Sequence, residues 1–387
     1  MNMEMNRMAL GVILGSTTLT VMAGSIISPV LNLMREGLGV DPSSAAIIIT
    51  THGILIAICS PLVGTLIDRI GTRRPYVIGL FLYGVTGGAG LYINTYWMLI
   101  LNRVFFGMGV AAIFTSITVM ILNLYKGADR NKVMGWRGSC NSFGGIIWPL
   151  LGGYLGSFSW HLPFAAYLTG IPLGILALWA IPEVHQRENT VPGDADQKKS
   201  VFQIVKSVPV LFIIYGLSFW SFTMLYTLVV FLPPTLETMG ITKTFHIGLF
   251  ISTPALSSGL TALLYGKIRE KLSYKWIIVF ALALWSFGFI TISQVTLVWL
   301  IVIAILLYGM GQGLVIPAFM VWVGESVPLA FRGRMTSYLA TFGFVGQFCA
   351  PLIFRPVVMH FGLHSAFLAA GSVCAILFFL FVIFMRK

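Results

Sequence analysis

The sequence predicts an all-α membrane protein of twelve transmembrane helices, arranged as two pseudo-symmetric six-helix halves. Three observations carry this. Of 387 residues, 57% are hydrophobic and only 9% are charged, against about 25% charged in an ordinary soluble chain. The apolar residues fall into twelve runs of roughly the 20 residues needed to cross a bilayer. The last six runs repeat the first six under one shift of 202 residues. That shift lays Gly64 on Gly266, Asp68 on Glu270, Gly107-Met108-Gly109 on Gly309-Met310-Gly311, Arg130 on Arg332, Gly144 on Gly346 and Pro149 on Pro351.

In chain order the runs lie near 8–34, 43–67, 76–94, 97–123, 133–157 and 161–182, then near 207–236, 244–267, 274–294, 296–323, 334–359 and 364–385. The first is too long for the apolar core of a signal peptide. The predicted domains are a six-helix half at 1–182, a polar linker at 183–206 containing Pro192, Gly193, Asp194 and Asp196, and a second half at 207–387. Nineteen basic residues fall in the termini and on one set of connections, and Arg35, Lys243 and Arg355 alone on the other. That imbalance places both termini in the cytoplasm.

The net charge of +12 does not indicate nucleic acid, because the bases cluster between apolar spans as topology signals. Cys59, Cys140, Cys349 and Cys374 lie inside spans with no metal-ligand spacing, so neither a metal nor a disulfide framework is expected. No nucleophile motif or phosphate-binding loop is present, so an enzyme is not expected.

The connection between the second and third spans reads Gly64, three residues, Asp68-Arg69, one residue, Gly71, one residue, Arg73-Arg74. Gly64 removes a side chain where helices approach closely, Gly71 permits the turn, and Asp68 can face a neighbouring helix N-terminus. The pattern resembles the loop signature of the major facilitator superfamily, where it acts as a conformational switch. The fifth span, with Gly135, Gly144, Trp148-Pro149 and Gly152-Gly153, resembles the antiporter motif of that superfamily, with Trp148 replacing a glycine. A bulky indole there is expected to alter packing against a neighbouring helix. Asn102 to Gly107 resembles its fourth-span motif, with Arg103 retained and Phe106 replacing the usual glutamine.

These resemblances imply alternating access about a central site and place the chain nearest the bacterial drug:proton antiporter branch. The expected activity is proton-coupled efflux of lipophilic molecules; the alternative is transport of an organic anion or metabolite, with Arg103 as anion or coupling site. The expected partners are a small-molecule substrate, protons and the lipid bilayer of the cell membrane, with no nucleic acid, no cofactor beyond a proton gradient, and a monomeric state.

No acidic residue lies mid-span, although many exporters of this branch carry an embedded carboxylate. Arg103 either sits buried as a functional ion or snorkels to the interface. His52, in the second span, either exchanges protons or hydrogen-bonds a neighbouring helix. Arg137 and Arg355 either snorkel or make the interior positive, which would favour an anionic or zwitterionic substrate. Glu270, Glu325 and Arg332 are expected to form a cytoplasmic gate of ion pairs. Tyr215, Trp220 and Tyr226 of the seventh span either line an apolar cavity or pack against lipid and helices.

Overall fold

The computed structural model describes residues 7–125, 127–182, 207–327 and 332–384, and every regular element among them is helical. The predicted linker lies outside the described residues. The helices are α1 (Arg7–Ser25), α2 (Leu31–Leu38), α3 (Pro42–Ile70), α4 (Arg73–Ala89), α5 (Tyr96–Leu124), α6 (Gly127–Gly156) and α7 (Gly170–Ala180), followed by α8 (Val210–Thr238), α9 (Thr244–Lys271), α10 (Tyr274–Gln294), α11 (Val298–Ser326), α12 (Arg332–Phe361) and α13 (Leu363–Phe384).

These make twelve spans, because α1 and α2 share the first. A short 3-10 turn at Ser28–Val30 joins them; Pro29 lacks the N–H that would continue the α pattern. A second 3-10 stretch, Leu162–Thr169, opens the sixth span before α7. Ten helical stretches among the described residues are long and apolar enough to cross a membrane. The two remaining spans are α4, with only 17 residues, and α6, whose first half carries Asp129, Arg130, Lys132 and Arg137.

The 202-residue repeat reappears as geometry. In the first half Tyr83 of α4 packs on Phe106 of α5, ring centroids 4.7 Å apart. Their counterparts under the shift, Trp285 of α10 and Tyr308 of α11, lie 5.8 Å apart. Gly109 lets α5 meet the backbone of α4 at Tyr83 and Gly79, and Gly311 lets α11 meet α10 at Trp285 and Ala281. By contact, the stretch Val229–Leu256, which ends α8 and begins α9, clusters with α1–α7 as one compact unit, while Ser257 onward belongs to the other.

Candidate functional site

Arg103 lies roughly 10 Å along α5 from its start at Tyr96. It does not snorkel: the residue is 0% exposed. Its Cζ sits 4.6 Å from the ring centre of Phe106, 4.8 Å from Phe164 and 5.2 Å from Tyr167. None of its three side-chain nitrogens meets a hydrogen-bond partner of ordinary geometry among the described residues. The charge is therefore balanced by aromatic faces rather than by a carboxylate. A desolvated cation–π contact is worth up to about 2 kcal/mol. An arginine in a span costs roughly 2.5–3.5 kcal/mol by insertion scales, so three rings are the right size to retain it.

The cage is fixed from outside. Tyr167 donates its hydroxyl to the Ala23 carbonyl and Tyr83 donates to Leu19, each at 2.9 Å. Those bonds tie the α4–α5 region and the sixth span to α1. His52 is 1% exposed and meets Phe106 edge-on, ring centres 6.2 Å apart. Gly107 lets α5 come against the His52 backbone. Phe106 thus touches both residues singled out for coupling. It stands where the resembled motif has glutamine, and that departure was the available signal for the cage. Phe164, Tyr167 and Tyr83 gave none, since aromatic residues are common in spans.

The glycines of α6 serve a different end of the bundle. A Cβ on Gly152 would overlap the Ile26 carbonyl oxygen, and one on Gly153 would lie 2.5 Å from the Thr244 oxygen. One on Gly145 would lie 2.8 Å from Ala255 Cβ, and one on Gly248 of α9 would lie 2.6 Å from the Pro149 oxygen. Two hydroxyls lock this seam between α6 and the start of α9. Thr244 Oγ1 donates to the Gly153 carbonyl at 2.6 Å, and Ser252 Oγ to that of Ile146 at 2.8 Å. Nearby, Pro233 cannot donate to the Val229 carbonyl four residues back, and Ser28 Oγ donates to it instead at 2.7 Å.

Trp148 does not press on another helix at Gly144. Helical side chains lean toward the N-terminus, and the indole lies back over Gly144 of its own helix, 3.3 Å from where a Cβ would be. Gly135 has no atom within 4 Å of such a Cβ, so the motif's tight packing is confined to its later glycines.

In the turn between α3 and α4, Gly71 has φ 84°, the left-handed backbone that glycine adopts freely. Arg73 donates to the Leu178 carbonyl, one of the last of α7 and otherwise without an intrahelical donor. Arg69 and Arg74 are exposed. At Gly64 the expected close approach is absent, since a Cβ there would meet nothing within 4 Å. The side chains of Asp68, Arg130 and Arg332 lie outside the described residues.

The expected gate is arranged differently as well. Glu325 accepts from the Tyr274 hydroxyl at 2.7 Å and pairs with Arg269 at 3.8 Å, and that arginine lies 4.0 Å over the Tyr274 ring. Glu270 is exposed. Successive helical residues point about 100° apart, so only one of Arg269 and Glu270 can face α10 and α11. Because Arg269 and Glu325 remain partly in water, the pair is worth under about 1 kcal/mol.

Tyr215 is a packing residue: its hydroxyl donates to the Met335 carbonyl at 2.9 Å and its ring stacks on Phe342. Trp220 and Tyr226 are half-buried.

A model of the Major Facilitator Superfamily matches residues 13–252 and again 211–387. The chain belongs to the major facilitator superfamily. Within it, this facilitator is 24% identical over 381 residues to a bacillibactin exporter of Bacillus subtilis, covering 94% of each protein. It is 32% identical over 187 residues to the class C tetracycline resistance protein of Escherichia coli, 46% of each. Its fold matches the crystal structure of the nucleoside transporter NupG with TM-score 0.80 at 14% identity, over 98% of this chain and 100% of that one.

Proposed function

We propose that this facilitator is a secondary active exporter of lipophilic small molecules, driven by proton entry through alternating access. It works as a monomer in the cell membrane with both termini in the cytoplasm, and needs no bound cofactor beyond the proton gradient. The observation that carries the reading is the α6–α9 seam. It closes on bare glycines and two hydroxyl-to-carbonyl bonds, a contact firm enough to shut and weak enough to reopen each cycle. The full-length likeness to an exporter favours outward movement. The deciding experiment loads proteoliposomes with lipophilic dyes and imposes a pH gradient. Dye movement should follow the gradient and stop when an ionophore collapses it; movement indifferent to the gradient would remove proton coupling.

Two substitutions probe this. Asp68→Asn is expected to impair transport at normal membrane levels, because a carboxylate facing a helix N-terminus is worth roughly 0.3–2 kcal/mol and shifts the two states severalfold. Wild-type transport by this variant would show that the acid is not part of the switch. His52→Ala is expected to slow pH-driven transport more than substrate-for-substrate exchange. Equal losses in the two modes would assign His52 to packing.

A further inference from the structure

We infer that a stripe on α6, formed by Arg137, Asn141 and Trp148, binds the substrate, and that the substrate presents an anionic oxygen, a carboxylate or phenolate on an apolar body, to Arg137. This deepens the export reading and rests on it. Arg137 lies roughly 15 Å along α6 from Gly127 and is 9% exposed. Its Nη1 donates to Thr118 Oγ1 at 2.9 Å, and its Cζ lies 5.1 Å from the Phe114 ring centre. A guanidinium carries five N–H donors, and the others have no acceptor among the described residues.

Asn141 and Trp148 stand four and eleven residues on, within about 40° of Arg137 around the helix. Asn141 Oδ1 and Trp148 Nε1 are both buried without a hydrogen-bond partner. An amide can present either end and an indole only donates, so the stripe is a set of donors awaiting acceptors. Gly144, between them, leaves its centre bare beneath the indole. No protein group supplies the missing acceptor: among the described residues no Asp or Glu is buried.

Packing does not call for this polarity. Under the 202-residue shift the counterparts are Leu339, Gly343 and Ala350, and the leucine and alanine are buried 6% and 0% exposed. Arg103 is a poorer candidate, since three rings seal it. A planar fork with free donors matches a carboxylate's two oxygens, and the rings of Phe114 and Trp148 suit an aromatic body.

The test is equilibrium binding to the full chain in lipid nanodiscs. The probes are fluorescein and 1-naphthoate, with rhodamine 6G and 1-naphthylmethylammonium as their cationic counterparts. At least one carboxylate should bind more tightly than its cationic counterpart. Arg137→Leu should weaken it at least tenfold, Arg137→Lys should restore part, and Trp148→Phe, which removes only the N–H and some ring area, should weaken it severalfold. If Arg137→Leu does not fold, Asn141→Leu and Trp148→Phe decide the matter alone. Tighter binding of the cations, no binding of either carboxylate, or carboxylate binding indifferent to these substitutions would overturn the site. Carboxylates that bind wild type as expected but never move under a pH gradient would instead leave the site standing and remove the export reading.

Discussion

Arg103→Met is expected to abolish at least nine-tenths of transport while leaving thermal stability within about 1 kcal/mol of wild type. The sign of the stability effect separates a functional charge from a structural one. Methionine fills much of the space of an arginine stem, and removing the ion removes its desolvation cost together with its three ring contacts. The second half already shows that the position tolerates an apolar residue, because the counterpart Ile305 is 0% exposed. Arg103→Lys should not restore transport, since a compact ammonium cannot lie flat among three rings.

Phe164→Leu should destabilise the wild type more than it destabilises Arg103→Met, because only the former leaves an ion short of a partner. A double-mutant cycle in thermal unfolding should give a coupling of about 1–2 kcal/mol. Full transport by Arg103→Met, or no coupling, would reduce Arg103 to an ordinary packing residue.

The second large effect is at Gly153. Alanine there would put a Cβ 2.5 Å from the Thr244 oxygen and 2.9 Å from Phe245 Cα, both backbone atoms with no rotamer to move. Overpacking of this kind costs about 1–3 kcal/mol, and every 1.4 kcal/mol is tenfold in population. Gly153→Ala should therefore hold the seam open and lower transport about tenfold. The readout is the alkylation rate of Ala255→Cys, in a background without the native cysteines, by a membrane-impermeant maleimide; it should rise with the alanine. Gly135→Ala, which meets nothing, should change neither rate. Equal behaviour of the two alanines would show that the seam does not govern access.

The fold was legible because bilayer length, charge asymmetry and the repeat each act along one dimension. The spans, the Gly71 turn and the break into halves all follow from spacing alone. What spacing cannot carry is which residues converge from distant helices. Arg103 was visible as an ion out of place, but its balance by Phe164 and Tyr167 depends on how the sixth span crosses α5. The pairing of Glu325 with Arg269 rather than Glu270 turned on a single helical step of about 100°. The expected closeness at Gly64 failed for a related reason: a glycine pattern marks where contact is permitted, not where this arrangement makes it. Trp148 was foreseen as an obstruction between helices, yet its lean toward the N-terminus stows it over its own helix.

The bond from Ser28 to the carbonyl that Pro233 leaves open sets a default. If the first span draws away from α8, the Val229 oxygen has no helical donor to return to. Stranding it costs about 1–3 kcal/mol, so an empty molecule spends most of its time latched, by roughly five- to a hundredfold. A carrier biased in this way does not idle symmetrically between its two states. It waits in one of them, leaks little in the absence of cargo, and turns over when a bound solute or a captured proton offsets the latch. Ser28→Ala should then give a looser machine, one with faster futile cycling and a weaker grip on the gradient that drives it.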